Sequence, residues 1–346
     1  MNETKQTKVY LEVLRIVACF FVIVNHTNSA IFLQETPGTF LWSISLLYFW
    51  LCKVAVPIYV MISGCLLLKR IDDYKKHSLR IVRILVVLLL FSVFYYVKDG
   101  LAAGKTLSIK SFFVTIYNTP ATNALWYLYL YIGVLLFLPL FQRMAVNMKK
   151  TDYVYMLVLT LGFFGIVPMI QHIFPIFSYY NHLTDAFIPA WVGIFFFGRF
   201  VDEYLELTGR RALIALGTIG VMIAAMYVLT CYEYRYSPDN YMFFDECTFF
   251  PIVLASGGIF YVVKYIYMRM QENKKRDYVI TTIGGATFGI YLLSDCIIVA
   301  EHPIRDVLMQ NMYPMVAVII YEVIVFISCL LVVLIMKKIP GIRRLI

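Results

Sequence analysis

Charge is scarce in this chain. Lys, Arg, Asp and Glu make up 15% of its 346 residues while hydrophobic residues reach 61%, an apolar share that no water-soluble domain needs. Tryptophan is rare too, at 4 residues against 27 Tyr and 27 Phe. That aromatic balance suits interfacial belts and a bundle of packed apolar helices. The seven cysteines form no CxxC and lie mostly in apolar runs, where Cys behaves as a small hydrophobe, so a zinc or disulfide scaffold is not expected. Cys231 and Cys247 flank one polar loop and are the one pair placed to bridge in an oxidising compartment. There is no P-loop, no dinucleotide fingerprint, no internal repeat, no low-complexity tract and no connection long enough to fold alone. His172, His182 and His302 lack metal-ligand spacing, and no metal is expected.

What the chain does have is apolar segments of membrane-spanning length from end to end. They fall at about 10–33, 45–68, 80–97, 124–142, 153–170, 185–201, 212–231, 248–268, 280–300 and 314–336. The expectation is an all-α integral membrane protein, a bundle of about ten transmembrane helices forming one domain over residues 1–346. With the amino terminus inside, only Lys98, Lys105, Lys110, Arg235 and Arg305 fall on the far side, and Lys53 lies within or just above the second span. The other basic residues gather on the cytoplasmic side, so both termini are cytoplasmic and the +9 net charge reads as topology rather than nucleic-acid binding. The first segment resembles a signal peptide only superficially. Glu12 and Arg15 interrupt its start, and it reads as a retained helix.

An ionisable residue inside a bilayer is costly and asks for a partner or a purpose. Glu12 and Arg15, three apart, can pair on one helical face. Eleven steps of 100° come within about 20° of whole turns, so Arg15 and His26 share a face and sit roughly 16 Å apart. Arg15 as a snorkelling anchor and His26 as a hydrogen-bonded bundle residue is one reading. The other makes His26 a base, since a neutral imidazole is the usual side chain for taking a proton from a hydroxyl near neutral pH. Lys76, Arg80 and Arg83 enter the third span, and the two arginines, one turn apart, can fork onto a phosphate or simply contact lipid headgroups. In the far loops, His172, His182, Asp239, Asp245, Glu246, Glu301, His302 and Arg305 read as solvated residues. Lys53 and Asp185 stand apart because both fall near membrane depth.

These residues resemble the acyltransferase-3 family of polytopic membrane acyltransferases. The likeness lies in Arg15-x10-His26, in the Val56–Leu67 run with Ser63-Gly64, in Arg80-x-x-Arg83, and in Leu125-Trp126-Tyr127-Leu128, Phe196-Phe197-Gly198 and Phe288-Gly289-Ile290-Tyr291-Leu292-Leu293, in order over nearly the whole chain. Many relatives carry His before the Leu-Trp landmark and after the Tyr-Leu landmark. Here those places hold Ala124 and Ser294-Asp295, so acceptor contacts assigned there in relatives do not carry over. The resemblance implies transfer of an acyl group, usually acetyl, from cytoplasmic acyl-CoA to a hydroxyl of an extracytoplasmic or lipid-linked glycan. It implies His26, Arg15 and Glu12 as the catalytic set, with Arg80, Arg83, Lys76 and Trp126 holding acetyl-CoA or another acyl-CoA. Asn25, Lys53, Asp185 and Tyr291 would meet the acceptor, and Asn25, Ser63 and Trp126 are candidate oxyanion donors. A bacterial plasma membrane, with its lipids as neighbours, is the expected setting, and a homo-oligomer is open. The competing class is a transporter or flippase of a lipid-linked saccharide, which would ordinarily show paired halves with matching broken helices. A purely structural subunit would have no use for Arg15, His26 and Lys53.

Overall fold

The structure, a computed structural model, describes residues 3–27, 29–174, 189–236, 238, 242 and 245–346, the side chains of residues 3–8, 29 and 30 excepted. Among these residues there are helices and turns but no strand. Helix α1 (Glu3–Thr27) is followed by the short α2 (Ser29–Phe32), then α3 (Phe40–Cys52) and α4 (Ala55–Leu67), which share one apolar stretch broken at Lys53 and Val54. Several starts are set by side chains that accept an orphan backbone N–H, among them Thr39 before α3, Asp73 before α5 (Tyr74–Ala102) and Ser108 before α6 (Ile109–Asn118). Gly104, at φ +62°, turns the chain after α5 in a conformation that favours glycine. A 3₁₀ turn, Asn123–Leu125, leads into α7 (Trp126–Asn147). Helices α8 (Lys150–Thr160) and α9 (Val167–Ile173) are joined by a π-helical turn over Leu161–Ile166.

The second half runs α10 (Ala190–Tyr204), α11 (Gly209–Tyr236), α12 (Phe250–Arg269), α13 (Lys274–Gly284), α14 (Thr287–Ala300), α15 (His302–Asn311), α16 (Pro314–Met336) and the single turn α17 (Pro340–Arg343). Among the described residues, eight helical stretches are long and apolar enough to cross a membrane. The pair α13–α14, bent by 51° at its break, makes a ninth if counted as one span. That is fewer than the ten segments read from the sequence. Residues 175–188, with the start of the sixth segment, lie outside the described residues, and the fifteen residues of α10 fall short of a crossing length. All seven cysteines are free thiols, Cys231 and Cys247 included.

Helix α1 stands at the centre, packed against α3, α4, α12, α13, α14 and α16. In lipid, helix association draws on close packing and interhelical polar contacts rather than on burial from water, and both are present. A Cβ placed on Gly64 of α4 would meet the carbonyl oxygen of Phe195 at 1.7 Å, and one on Gly198 of α10 would meet that of Met61 at 2.0 Å. The two glycines let two backbones touch, and they account for two of the landmarks picked out in the sequence. Beside Tyr10 of α1, the buried carboxylate of Asp202 on α10 binds Lys264 at 2.9 Å, Lys69 at 2.8 Å, the Cys65 thiol at 3.0 Å and the Tyr10 hydroxyl, joining four helices through one residue.

Candidate active site

Because α1 is the central post, the face that carries Arg15, Val22, Asn25 and His26 becomes one wall of a cavity of about 890 Å³. The break after α3 and the first turns of α4 add Lys53, Tyr59 and Ser63. Helix α5 adds Arg80 and Arg83. Helix α7 and the turn before it supply Asn123, Trp126, Tyr127 and Tyr131, and the α13–α14 bend supplies Gly284, Thr287, Phe288 and Tyr291. With 1.5 Å of rise per residue, Arg15 and His26 lie about 16 Å apart along α1, so the cavity is about half a bilayer core deep. One end holds three arginines. The other holds His26, Lys53 and Asp245, and between them Tyr59, Tyr127, Tyr131, Tyr291 and Phe288 form a run of neighbouring rings about 6 Å apart.

At the basic end, Arg15 Nη1 binds Glu12 Oε1 at 2.6 Å, as the i,i+3 spacing predicts. Gly284 makes room for this pair, since a Cβ there would sit 2.5 Å from Glu12 Oε2, an oxygen that is buried without a hydrogen-bond partner. Arg80 reaches Asp72 at 3.1 Å and keeps its Nη1 buried and unpartnered. Asp72 also binds Lys76 at 2.8 Å and Arg70 at 3.3 Å. Burial alone would push its carboxyl up, but Lys76, Arg80 and Gln142 together hold it down, at about 2. Lys76 is therefore half-exposed on Asp72 and is not part of the cavity wall, unlike Arg80 and Arg83. Arg83 donates to the Leu345 carbonyl at 3.0 and 3.3 Å. Lys337, just past α16, donates to the Gly285 carbonyl, and its pKa is lowered by burial and by Arg343 and Arg83.

At the other end, His26 Nδ1 lies 3.8 Å from Asp295 Oδ1 on α14. Asn25 donates to the Cys52 carbonyl at 2.9 Å, leaving its Oδ1 buried without a partner. Lys53 is paired with Asp245 and stands over the Phe49 ring at 5.2 Å. Asp245, read from sequence as a solvated loop residue, thus belongs to the cavity wall, because the loop before α12 folds onto the break after α3. Trp126 lines the cavity and packs against Trp191, while Tyr291 turns its ring to the cavity and donates its hydroxyl to the Ala124 carbonyl at 2.5 Å. The Ser63 hydroxyl is taken by the Tyr59 carbonyl at 3.0 Å. Asp185 lies outside the described residues. Among the described residues no group of His, Cys, Asp or Glu could hold a metal ion.

Helices long and apolar enough to cross a bilayer, built round an internal cavity with arginines at one end and an imidazole at the other, define a multi-pass membrane protein with a buried polar site. A family model described as an acyltransferase domain matches residues 8–337, and the chain belongs to that family, the acyltransferase-3 family of membrane acyltransferases. No curated protein and no solved structure matched it.

Proposed function

We propose that this acyltransferase moves an acyl group, most simply acetyl, from acyl-CoA on the cytoplasmic side to a hydroxyl of an extracytoplasmic or lipid-linked glycan. In this reading it sits in a bacterial plasma membrane with both termini cytoplasmic. The observation that carries the reading is that one cavity joins Arg80 and Arg83 to His26.

Arg80 and Arg83, one turn apart, suit a forked contact with the phosphates of CoA, and Arg80 keeps a free Nη1 for it. An extended chain covers about 3.5 Å per three bonds, so the distance along α1 from Arg15 to His26 matches an arm of about fourteen bonds, close to the reach of pantetheine with its thioester. The hydroxyls of Tyr127 and Tyr131 border that path and offer partners to the two amides of the arm. His26 takes the proton of the acceptor hydroxyl as its oxygen attacks the thioester carbonyl. The C–S bond then breaks, and the proton passes from His26 to the departing thiolate. Arg15, held by Glu12, lines the donor's path. Asn25 Oδ1 and the Lys53–Asp245 pair border the acceptor's approach.

The test is thiol release from acetyl-CoA by the purified protein in nanodiscs with a glycan-acceptor extract, for wild type and His26→Ala. Release that the substitution abolishes, with CoA binding retained, supports the reading. Equal release in both removes His26 as the base, and none with any acyl-CoA and acceptor sinks the reading in favour of a saccharide flippase.

A further inference from the structure

We infer that Asp295 is the positioning residue of this site: it holds His26 in the tautomer that carries its proton on Nδ1 and leaves Nε2 open to a reacting hydroxyl. The kinetic consequence rests on the acyl-transfer reading above; the pairing itself does not.

The two oxygens of Asp295 have different surroundings. Oδ2 accepts from the Thr122 hydroxyl at 2.7 Å and from the Ala124 N–H at 3.4 Å, which pins the carboxylate to the turn that precedes α7. Oδ1 is left facing His26 Nδ1 at 3.8 Å. That gap is longer than a hydrogen bond, but pairs of this kind are often loose without substrate and tighten when it binds. The turn is held from the same helix a second time, since Tyr291, one turn before Asp295 on α14, donates to the Ala124 carbonyl. Two side chains of α14 therefore fix the turn, and the turn in turn fixes the direction of Oδ1.

Charge points the same way. Asp72, Asp202 and Asp245 each have a lysine or arginine against them, whereas among the described residues no lysine or arginine pairs with Asp295. A carboxylate set in the apolar run of α14 needs donors, and those in reach are the Thr122 hydroxyl, the Ala124 N–H and the imidazole. The other titratable groups around the pair do not compete. Tyr95 of α5 gives its hydroxyl to the Leu292 carbonyl, Tyr291 gives its own to Ala124, and Lys53 is taken by Asp245. A neutral imidazole that donates from Nδ1 to a carboxylate accepts at Nε2, which is the nitrogen a general base uses.

The experiment is nitrogen NMR on protein labelled with ¹⁵N-histidine in nanodiscs, run beside acyl-transfer kinetics. The chain has five histidines, and the His26 signals are assigned by their loss in His26→Gln. Wild type should show one dominant tautomer with Nδ1 protonated. In Asp295→Asn the carboxamide can donate to Nδ1, so the signals should move toward the Nε2-protonated form, and kcat should fall about 10²- to 10⁴-fold at unchanged KM for acyl-CoA. Asp295→Glu should restore the wild-type tautomer and part of the rate. The same tautomer in wild type and Asp295→Asn, or a changed tautomer with kcat intact, overturns the assignment. A tautomer that follows residue 295 in a protein that transfers no acyl group would uphold the pairing and defeat the acyl-transfer reading alone.

Discussion

Arg83 Nε and Nη2 both point at the carbonyl oxygen of Leu345, so the last turns of the described chain lie across the basic mouth of the cavity, where Ile346 joins its wall. A phosphate arriving at Arg83 competes with that carbonyl. Deleting residues 345 and 346 is expected to lower the Kd for CoA about three- to tenfold, the worth of one modest hydrogen bond. Isothermal titration in nanodiscs checks this, and an unchanged Kd would show that carbonyl and phosphate bind side by side.

Gly284 has no room for a methyl group, because its Cβ would meet Glu12 at both Oε2 and Cβ, at 2.5 and 2.7 Å. Gly284→Ala should therefore displace the Glu12–Arg15 pair and cost about 1–3 kcal/mol of stability. Melting temperature and acyl-transfer rate are the measurements. A variant with wild-type values for both would mean that the bend at α13–α14 opens freely.

The Lys53–Asp245 pair ties the break after α3 to the loop before α12. A double-mutant cycle with Lys53→Met and Asp245→Asn should give a coupling of about 0.5–1 kcal/mol, since Lys53 is largely covered while Asp245 is partly open to solvent. Additive losses would remove the pair as a latch at the His26 end of the cavity.

Asp202 balances two lysines, Lys264 inside the bundle and Lys69 at its edge. Asp202→Ala leaves the buried Lys264 without a counter-charge, and Lys69 with only Glu203 at 4.0 Å, and should destabilise the protein by about 3–5 kcal/mol, read as thermal unfolding in nanodiscs. Adding Lys264→Met to that variant should recover part of the loss. No recovery would mean that the cost lies in packing rather than in charge.

Asp72 is held at about 2, below the ordinary carboxylate value of 3.8. A group whose value is lowered in the folded state adds stability above its unfolded value and loses it as pH falls through the folded one. The melting-temperature gap between wild type and Asp72→Asn should thus be constant near neutrality and close between pH 3.8 and about 2. A gap that persists at the acid end would rule out the Arg80–Asp72–Lys76 cluster as its source.

The helical membrane class, the Glu12–Arg15 pair and the shared face of Arg15 and His26 were legible in the sequence because each lives on one helix or in one run, where 3.6-residue periodicity and hydropathy speak directly. Asp295, Asp245 and the partners of Asp202 were not, since each meets residues far away along the chain. A signal for Asp295 was nonetheless present. It is an ionisable residue in an apolar run, and the rule that singled out His26 applies to it equally. Asp245 was lost for the opposite reason. Its neighbours are polar, and nothing local separates a loop residue that folds inward from one that stays in water.

Gly64 and Gly198 bring the main chains of α4 and α10 into direct contact at two points. Two rods pressed spine to spine cannot roll or slide without a collision of main chains, so the pair behaves as a single stiff rib. On the proposed reading, any widening of the cavity for a donor's long arm falls to its other walls, α5 and the bent α13–α14 segment, which makes the rib the fixed jaw of a vice and the glycines its rivets.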